Sequence, residues 1–296
     1  MKIALVVDKP GWAYDFVAND LIRLLSDQFE FKIFYVQLDQ KKELEAFKPN
    51  LIHVMFWGET WHHFLNFPLE NTIKEISSFR WMVEDQYGKI SPSLFVKKYL
   101  YDCGRVCTTS KKMYDLIWPH INTTHTPNGV FTDQFFNKKN RSGELQFGWV
   151  GNINDKTKGV AEILIPAFEI NNIVLKLASG DLKRHQMNDF YNEIDVLCVA
   201  SIAEGQPLTI MESMATGCFQ LSNDVGIAKE LIIPFENGLI PQRTVESYAV
   251  AINWCKQNVE FIRGKQDHNV KMIMGKRSWH NLKGVWTNFY SNTLGV

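Results

Sequence analysis

The sequence has little of what would announce a partner or a compartment. It carries no excess charge of either sign: Lys plus Arg and Asp plus Glu both number 32, so no whole-molecule field recruits nucleic acid or an acidic surface. No apolar run approaches the ~20 residues that a bilayer-spanning helix needs. Met1 and Lys2 are followed only by Ile3 to Val7 before Asp8, a stretch that reads as too short for a signal peptide. The five cysteines, Cys103, Cys107, Cys198, Cys218 and Cys255, are odd in number and scattered. They suit buried or free thiols in a reducing compartment better than a disulfide framework. Cys103 and Cys107 have no further ligand types close by in sequence, so no metal is expected. No Gly-x-Gly-x-x-Gly follows the first strand, which disfavours a dinucleotide-dependent oxidoreductase. The expected location is cytoplasmic, with peripheral attachment to a membrane left open.

What is there is an ordinary globular composition, 45% hydrophobic and 22% charged, in 296 residues. That length suggests two domains, each large enough to bury a core. Short apolar runs alternate with helical patterns throughout, the sequence form of parallel sheets with helices on their faces. In the first half, Ile3–Val7, Lys32–Val36, Leu51–Phe56, Arg80–Val83 and Arg105–Cys107 read as strands. A first helix carries Phe16, Val17, Leu21, Leu24 and Leu25 on one face; Lys41–Phe47, Leu94–Tyr101 and Lys111–Ile117 read as further helices. From Phe136 to Glu144 the text turns polar and aperiodic, as at a linker. The alternation restarts with strands at Leu145–Val150, Ile173–Leu177, Val196–Ala200, Phe219–Ser222 and Leu239–Ile240, and helices near Val160–Phe168 and from Leu208. The expected fold is α/β, with two Rossmann-like domains facing across a cleft. Residues 1–136 form an acceptor-side domain, residues 145–270 a donor-side domain, and 271–296 a helix packing back on the first.

Asp195 to Leu208 reads as a buried strand delivering a loop that opens into a helix stopped by Gly217. Pro207 suits the first helical turn. The amides of Gly205 and Leu208, with the positive end of the helix dipole, would then face a phosphate or sugar oxygen. Glu204 and Glu212 lie eight residues apart, at most about 12 Å along a helix, the scale of a nucleotide sugar from hexose to ribose. A carboxylate accepts two hydroxyl hydrogens well, so such a pair could hold a diol at each end. On spacing alone the alternative stands level: Glu204 a neighbour of the helix cap, Glu212 a solvated residue.

The flanks carry a more specific pattern: Glu204-Gly205-Gln206-Pro207-Leu208, Glu212-Ser213-Met214-Ala215-Thr216-Gly217, Asp224-Val225-Gly226, Glu230-Leu231-Ile232 and Asn237-Gly238-Leu239, preceded by Pro127-Asn128-Gly129-Val130 and by Asp189 to Val196. This resembles the donor-binding signature of family-4 retaining glycosyltransferases of the GT-B fold, densely from about residue 126 to 240. Trp279 and Tyr290 also suit that family's tail. The resemblance implies that Glu204, with Gly205, Gln206, Pro207 and Leu208, positions the donor sugar and that Glu212 binds the ribose. Gln206 replaces the usual aromatic, and its amide is a candidate for an added hydrogen bond near the site.

The strand Phe147–Gly151 runs into Asn152-Ile153-Asn154-Asp155-Lys156-Thr157-Lys158-Gly159, which looks like the family's phosphate loop. Lys158 matches the lysine before the second glycine. Asn152 follows Gly151 where arginine is usual, and Lys156 is a candidate to supply the missing charge. The alternative is a solvated basic turn. Gly11, in the turn after the first strand, is a further candidate for close approach to phosphates, level with a plain strand-to-helix connection. Glu204 and Lys158 are therefore the catalytic candidates.

For the acceptor, Asp85 is the candidate carried forward. It lies in the Glu84-Asp85 pair after the Trp81–Val83 run, where relatives often have a His-Asp pair. His53 reads better as a hydrogen-bonded core residue. Glu59 sits at a strand end, and Trp57, Trp61, His62 and His63 read as an aromatic cluster, preferably core. The implied function is transfer of a sugar from a UDP- or GDP-type nucleotide sugar, with retention of configuration, no metal and no cofactor. The acceptor is open among lipid, polysaccharide, protein and small molecule. The alternatives are a nucleotide-sugar epimerase of the same fold and a non-catalytic sugar- or nucleotide-binding protein.

Overall fold

A computed structural model describes residues 1–58 and 67–296; Glu59, Trp61, His62 and His63 lie outside the described residues. The chain divides into two compact units, residues 1–128 with 282–296, and residues 129–281.

The first unit is built on β1 (Lys2–Val7), β2 (Glu30–Tyr35), β3 (Leu51–Val54), β4 (Thr72–Ile76), β5 (Arg105–Thr108) and β6 (Thr123–His125). They form one parallel sheet in the order β2-β1-β3-β4-β5-β6. Within β1, Ile3 to Val7 is an unbroken, buried apolar run, as in a parallel sheet covered on both faces. Around the sheet lie α1 (Ala13–Leu25), α2 (Lys41–Phe47), α3 (Arg80–Val83), α4 (Pro92–Tyr99) and α5 (Lys111–Ile117). Ser91 and Ser110 cap α4 and α5 by accepting from Leu94 N and Met113 N, each at 3.3 Å.

Two elements here depart from the sequence expectation. Arg80–Val83 is the short helix α3, not a strand, and the strand lies just upstream as β4. The residues of β4, Thr-Ile-Lys-Glu-Ile, look half solvated, yet all five are buried. Lys74 meets Asp102 at 2.5 Å and donates to Tyr99 O at 2.7 Å. These partners are what let an ammonium sit in a sheet interior.

The second unit has β7 (Phe147–Val150), β8 (Leu175–Ala178), β9 (Val196–Val199), β10 (Phe219–Ser222) and β11 (Gly238–Leu239), parallel in the order β11-β10-β9-β7-β8. α6 (Ile165–Ile170), α7 (Met187–Glu193), α8 (Leu208–Ala215), α9 (Ala228–Leu231), α10 (Val245–Gln257), α11 (Val259–Gly264) and α12 (Gln266–Lys276) surround it. Alternation along β9 feeds two cores. Leu197 and Val199 pack with Ile210, Met211 and Ile227, while Val196 and Cys198 pack with Phe147, Phe168 and Tyr248. The polar stretch 136–144 is fastened to this unit: Phe136 N and Lys138 N donate to the side chains of Asn188 and Asn192. The Arg141 guanidinium donates to the carbonyls of Tyr191, Ile194 and Thr216.

The final helix is α13 (Trp279–Leu294), whose residues from Leu282 onward belong to the first unit. Trp286 and Tyr290 are buried there, Trp286 donating through its indole to Pro127 O at 3.0 Å. All five cysteines are free and buried. Among the described residues, no helix is long and apolar enough to cross a membrane.

Candidate functional site

Because the second sheet is wholly parallel, the loops that follow its strands all leave at one edge. β7 connects onward to β8 on one side and is flanked by β9 on the other, so the order in which strands are added reverses between β7 and β9. Such a switch point opens a crevice beyond the strand ends. The two loops beside it, 151–158 after β7 and 200–207 after β9, carry Lys158 and Glu204.

These two side chains meet: Lys158 Nζ lies 2.5 Å from Glu204 Oε1, with side-chain exposures of 25% and 15%. The lysine is held there by its turn. Asp155 caps a short 3₁₀ turn, Lys156–Lys158, by accepting from Thr157 N at 3.0 Å. Ile202 N bonds Thr157 O at 2.9 Å, tying one loop to the other. Gly159 ends the turn at φ +69°, and a Cβ there would stand 2.4 Å from Ala200 O and 2.8 Å from Arg243 Nη2. Only glycine permits both the left-handed backbone and that approach. Arg243 Nε donates to the same Ala200 O at 2.8 Å. At the end of β9 the Tyr248 hydroxyl donates to Val199 O and accepts from Asn223 N at 2.8 Å.

Gly205, Pro207 and Asp224-Val225-Gly226 form one packed turn. Gly226 has φ +53°, and a Cβ on it would lie 2.6 Å from Gly205 O and 3.0 Å from the Pro207 ring. This explains why the second glycine motif accompanies the first. α8 starts at Leu208, as the sequence pattern places it, with Pro207 as its N-cap. Proline has no side-chain acceptor to cap the first turn; Ile210 N bonds Pro207 O at 3.2 Å, and the amides of Leu208 and Thr209 precede the intrahelical ladder. Gln206 is buried, and its amide donates to Met211 Sδ, 2.9 Å away.

Glu212 lies on the second turn of α8 and is 6% exposed, not a solvated surface residue. Its Oε1 accepts from Arg184 Nη1 and its Oε2 from the Tyr191 hydroxyl, both at 2.9 Å. Arg184 comes from the loop after β8 and lies over the Phe135 ring, 5.4 Å from its centroid. Burial, with the Glu212 carboxylate next in weight, holds the Tyr191 hydroxyl well above the usual tyrosine range, so it remains a donor. Arg184 was not singled out in the sequence. The available signal was a basic run, Lys183-Arg184-His185, directly beyond a strand end.

The remaining candidates are dispersed. Gly151 donates to Ala178 O at 3.0 Å. Asn152 is exposed and accepts from Asn154 N at 3.0 Å, so it builds the turn where an arginine was expected. Lys156 is exposed. Gly11 belongs to the first unit, where its amide donates to Asp15 Oδ2 at 2.8 Å. Asp85 is in the same unit, its side chain 92% exposed and 2.9 Å from Lys89 Nζ. Trp57 is core, packed edge-on to Tyr87, Phe95 and Tyr99. His53 is core as well, its Nδ1 2.9 Å from Tyr290 Oη.

Comparison with solved structures places the fold. Sucrose-phosphate synthase from Thermosynechococcus elongatus aligns over 100% of this chain and 99% of its own with a TM-score of 0.79 at 16% identity. HepE from Anabaena, solved in complex with UDP and glucose, aligns over 98% of this chain and 99% of its own with a TM-score of 0.74 at 12% identity. A glycosyltransferase from Rickettsia africae gives a TM-score of 0.67 at 13% identity over 99% of this chain and 98% of its own. At these identities the shared property is the fold: two parallel-sheet α/β domains of the GT-B glycosyltransferase type. No curated protein matches in sequence. Residues 177–271, which include Arg184, Glu204, α8 and Glu212, match the family described as glycosyl transferases group 1.

Proposed function

We propose that this protein is a glycosyltransferase that takes a sugar from a UDP- or GDP-type nucleotide sugar and passes it to an acceptor with retention of configuration, without a metal. The observation that carries the reading is the pairing of two carboxylates with two cations around α8: Glu204 with Lys158 and Glu212 with Arg184. The match of residues 177–271 to glycosyl transferases group 1 supports it.

In this reading Glu204 and the amides that follow it hold the sugar, and Glu212 holds the ribose. Each carboxylate oxygen accepts up to two hydrogen bonds. With Arg184 on one oxygen of Glu212 and Tyr191 on the other, acceptor capacity remains for a diol. Arg184, 22% exposed, is the cover that must shift to admit it. Lys158 exchanges Glu204 for a phosphate oxygen, while Glu204 takes sugar hydroxyls. Breakage of the bond between C1 and the phosphate leaves a nucleoside diphosphate. Lys158, Arg184 and the leading amides of α8 stabilise that growing charge. For retention, the leaving phosphate oxygen itself accepts the acceptor's proton on the face of attack, and the protein's part is positioning.

A turnover assay tests this with UDP-glucose first, because HepE was solved with that donor, and then with GDP-mannose. Simple glycosides, lipid-linked sugars and peptides serve as acceptors, and the anomer formed is read by NMR. Nucleoside diphosphate released together with a glycosylated product of unchanged anomeric configuration is the expected result. Donor converted to an isomeric nucleotide sugar with no acceptor present would assign an epimerase instead. Glu204→Ala is expected to slow transfer chiefly, and Glu212→Ala to weaken nucleotide affinity chiefly.

A further inference from the structure

Away from the donor loops, three buried side chains of the first unit meet in an arrangement that apolar packing does not require. β3, β4 and β5 are neighbours in the sheet, and their register sets Glu75 opposite Cys107 and His53 opposite Ile73. Since Ile73 and Glu75 are two apart, all three side chains project from one face. His53 Nε2 stands 3.6 Å from Glu75 Oε2 and 3.7 Å from Cys107 Sγ. The candidate ligand atoms of the three residues all lie within 4.8 Å of one another, and each residue is buried.

The two separations made by His53 Nε2 lie close to the edges of a coordination polyhedron, and the one to sulfur is also the length of a weak hydrogen bond. A tetrahedral zinc ion with its usual bonds to sulfur, nitrogen and oxygen has ligand-to-ligand edges of about 3.3–3.6 Å. At 3.6 Å the Glu75 and His53 atoms are too far apart to share a hydrogen bond. Among the described residues, Glu75 Oε2 has no hydrogen-bond partner although it is buried, the condition under which an unplaced ion or water is to be sought. The outer contact is also the one metal sites use. His53 Nδ1 lies 2.9 Å from Tyr290 Oη. A proton on Nδ1 directed there leaves the Nε2 lone pair facing the other two groups. Finally, a divalent ion would displace the thiol and carboxyl protons of Cys107 and Glu75 on binding, and the resulting buried cluster would be neutral.

We propose that His53, Glu75 and Cys107 form a structural site for a divalent transition-metal ion of the zinc type, with one corner left for a water or another small ligand. The site ties three strands together. Through Tyr290 it also anchors the segment 282–296 to the sheet of its unit. Sequence spacing did not reveal it because the ligands come singly from three strands. The inference is independent of the sugar-transfer reading, which rests on the second unit. Because the cluster is fully enclosed, the ion enters during folding.

The test uses the full chain, produced in zinc-supplemented cells and purified under reducing conditions without chelator. Elemental analysis is expected to find about one zinc per chain, as for a single structural site. X-ray absorption at the zinc edge should place one sulfur among its nearest neighbours. After unfolding and refolding with Co2+, the wild type should develop a thiolate-to-cobalt charge-transfer band. Cys107→Ser should lose that band and Cys103→Ser should keep it. Protein that emerges metal-free from supplemented cells, a sulfur-free zinc shell, or a cobalt band that survives Cys107→Ser would each overturn the site. The two wild-type measurements decide the matter even if Cys107→Ser does not fold.

Discussion

Gly159 is the residue where backbone and chemistry meet most closely. It combines a φ of +69° with a carbonyl 2.4 Å from where a Cβ would lie, and it directly follows Lys158. Gly159→Ala should therefore cost about 1–3 kcal/mol, read as a lowered midpoint in chemical denaturation. It should also displace Lys158, so any surviving folded protein binds nucleotide diphosphate more weakly. Glu212 presents the opposite case, a charge made tolerable by its partners. Arg184→Met leaves the Tyr191 hydroxyl donating to Glu212 and should destabilise by about 1–3 kcal/mol. Tyr191→Phe removes the other partner and should cost about as much. A double-mutant cycle in urea checks whether the two are coupled through the carboxylate, and strict additivity would count against that. At this scale the places of Lys158 and Glu204 in loops after strands, and of Glu212 within a helix, were legible in the sequence because their spacing and flanks form a motif. The inward turn of Gln206 was not, because it depends on where the backbone at 205–207 points the side chain.

Elements were legible where local and tertiary forces agree. Lys41–Phe47, Lys111–Ile117 and Phe219–Ser222 fold over the spans that their apolar patterns mark, and β1 extends the expected run by one residue. β4 was hidden because Lys74 and Glu75 look like surface residues until partners on other elements are known. Its invisibility passed the strand label on to Trp81-Met82-Val83, which is helical. The stretch 136–144 teaches the same lesson. Its composition is that of a linker, yet Arg141 satisfies carbonyls at the C-terminal ends of both α7 and α8, as cations near helix C-termini do. Arg141→Met removes those donors at once. The expected loss is about 2–3 kcal/mol, measured by urea denaturation, with protease sensitivity appearing between residues 136 and 144. A change near zero would mean that water replaces the guanidinium at no cost.

For the whole molecule, chain order and unit membership diverge: residues 282–296 complete the unit formed by residues 1–128. A chain ending at Asn281 loses the buried rings of Trp286, Phe289 and Tyr290. At about 3–5 kcal/mol for each large aromatic, that loss matches the whole stability of an ordinary domain, about 5–15 kcal/mol. The shortened chain is expected to be insoluble or to lack a folded first unit, and a wild-type melting profile would refute this. The fold was legible at this scale because alternating strands and helices leave few architectures open. The acceptor was not, since no residue pattern in the first unit identifies one. The central claim, that the acidic pair beside α8 grips an activated sugar, is tested most directly by calorimetric titration of UDP-glucose and GDP-mannose into the wild type and Glu212→Gln. The account predicts saturable binding of one of them to the wild type and at least about a tenfold weakening in the variant, about 1.4 kcal/mol. Binding of neither donor by the folded wild type, or equal affinity in both proteins, would contradict it.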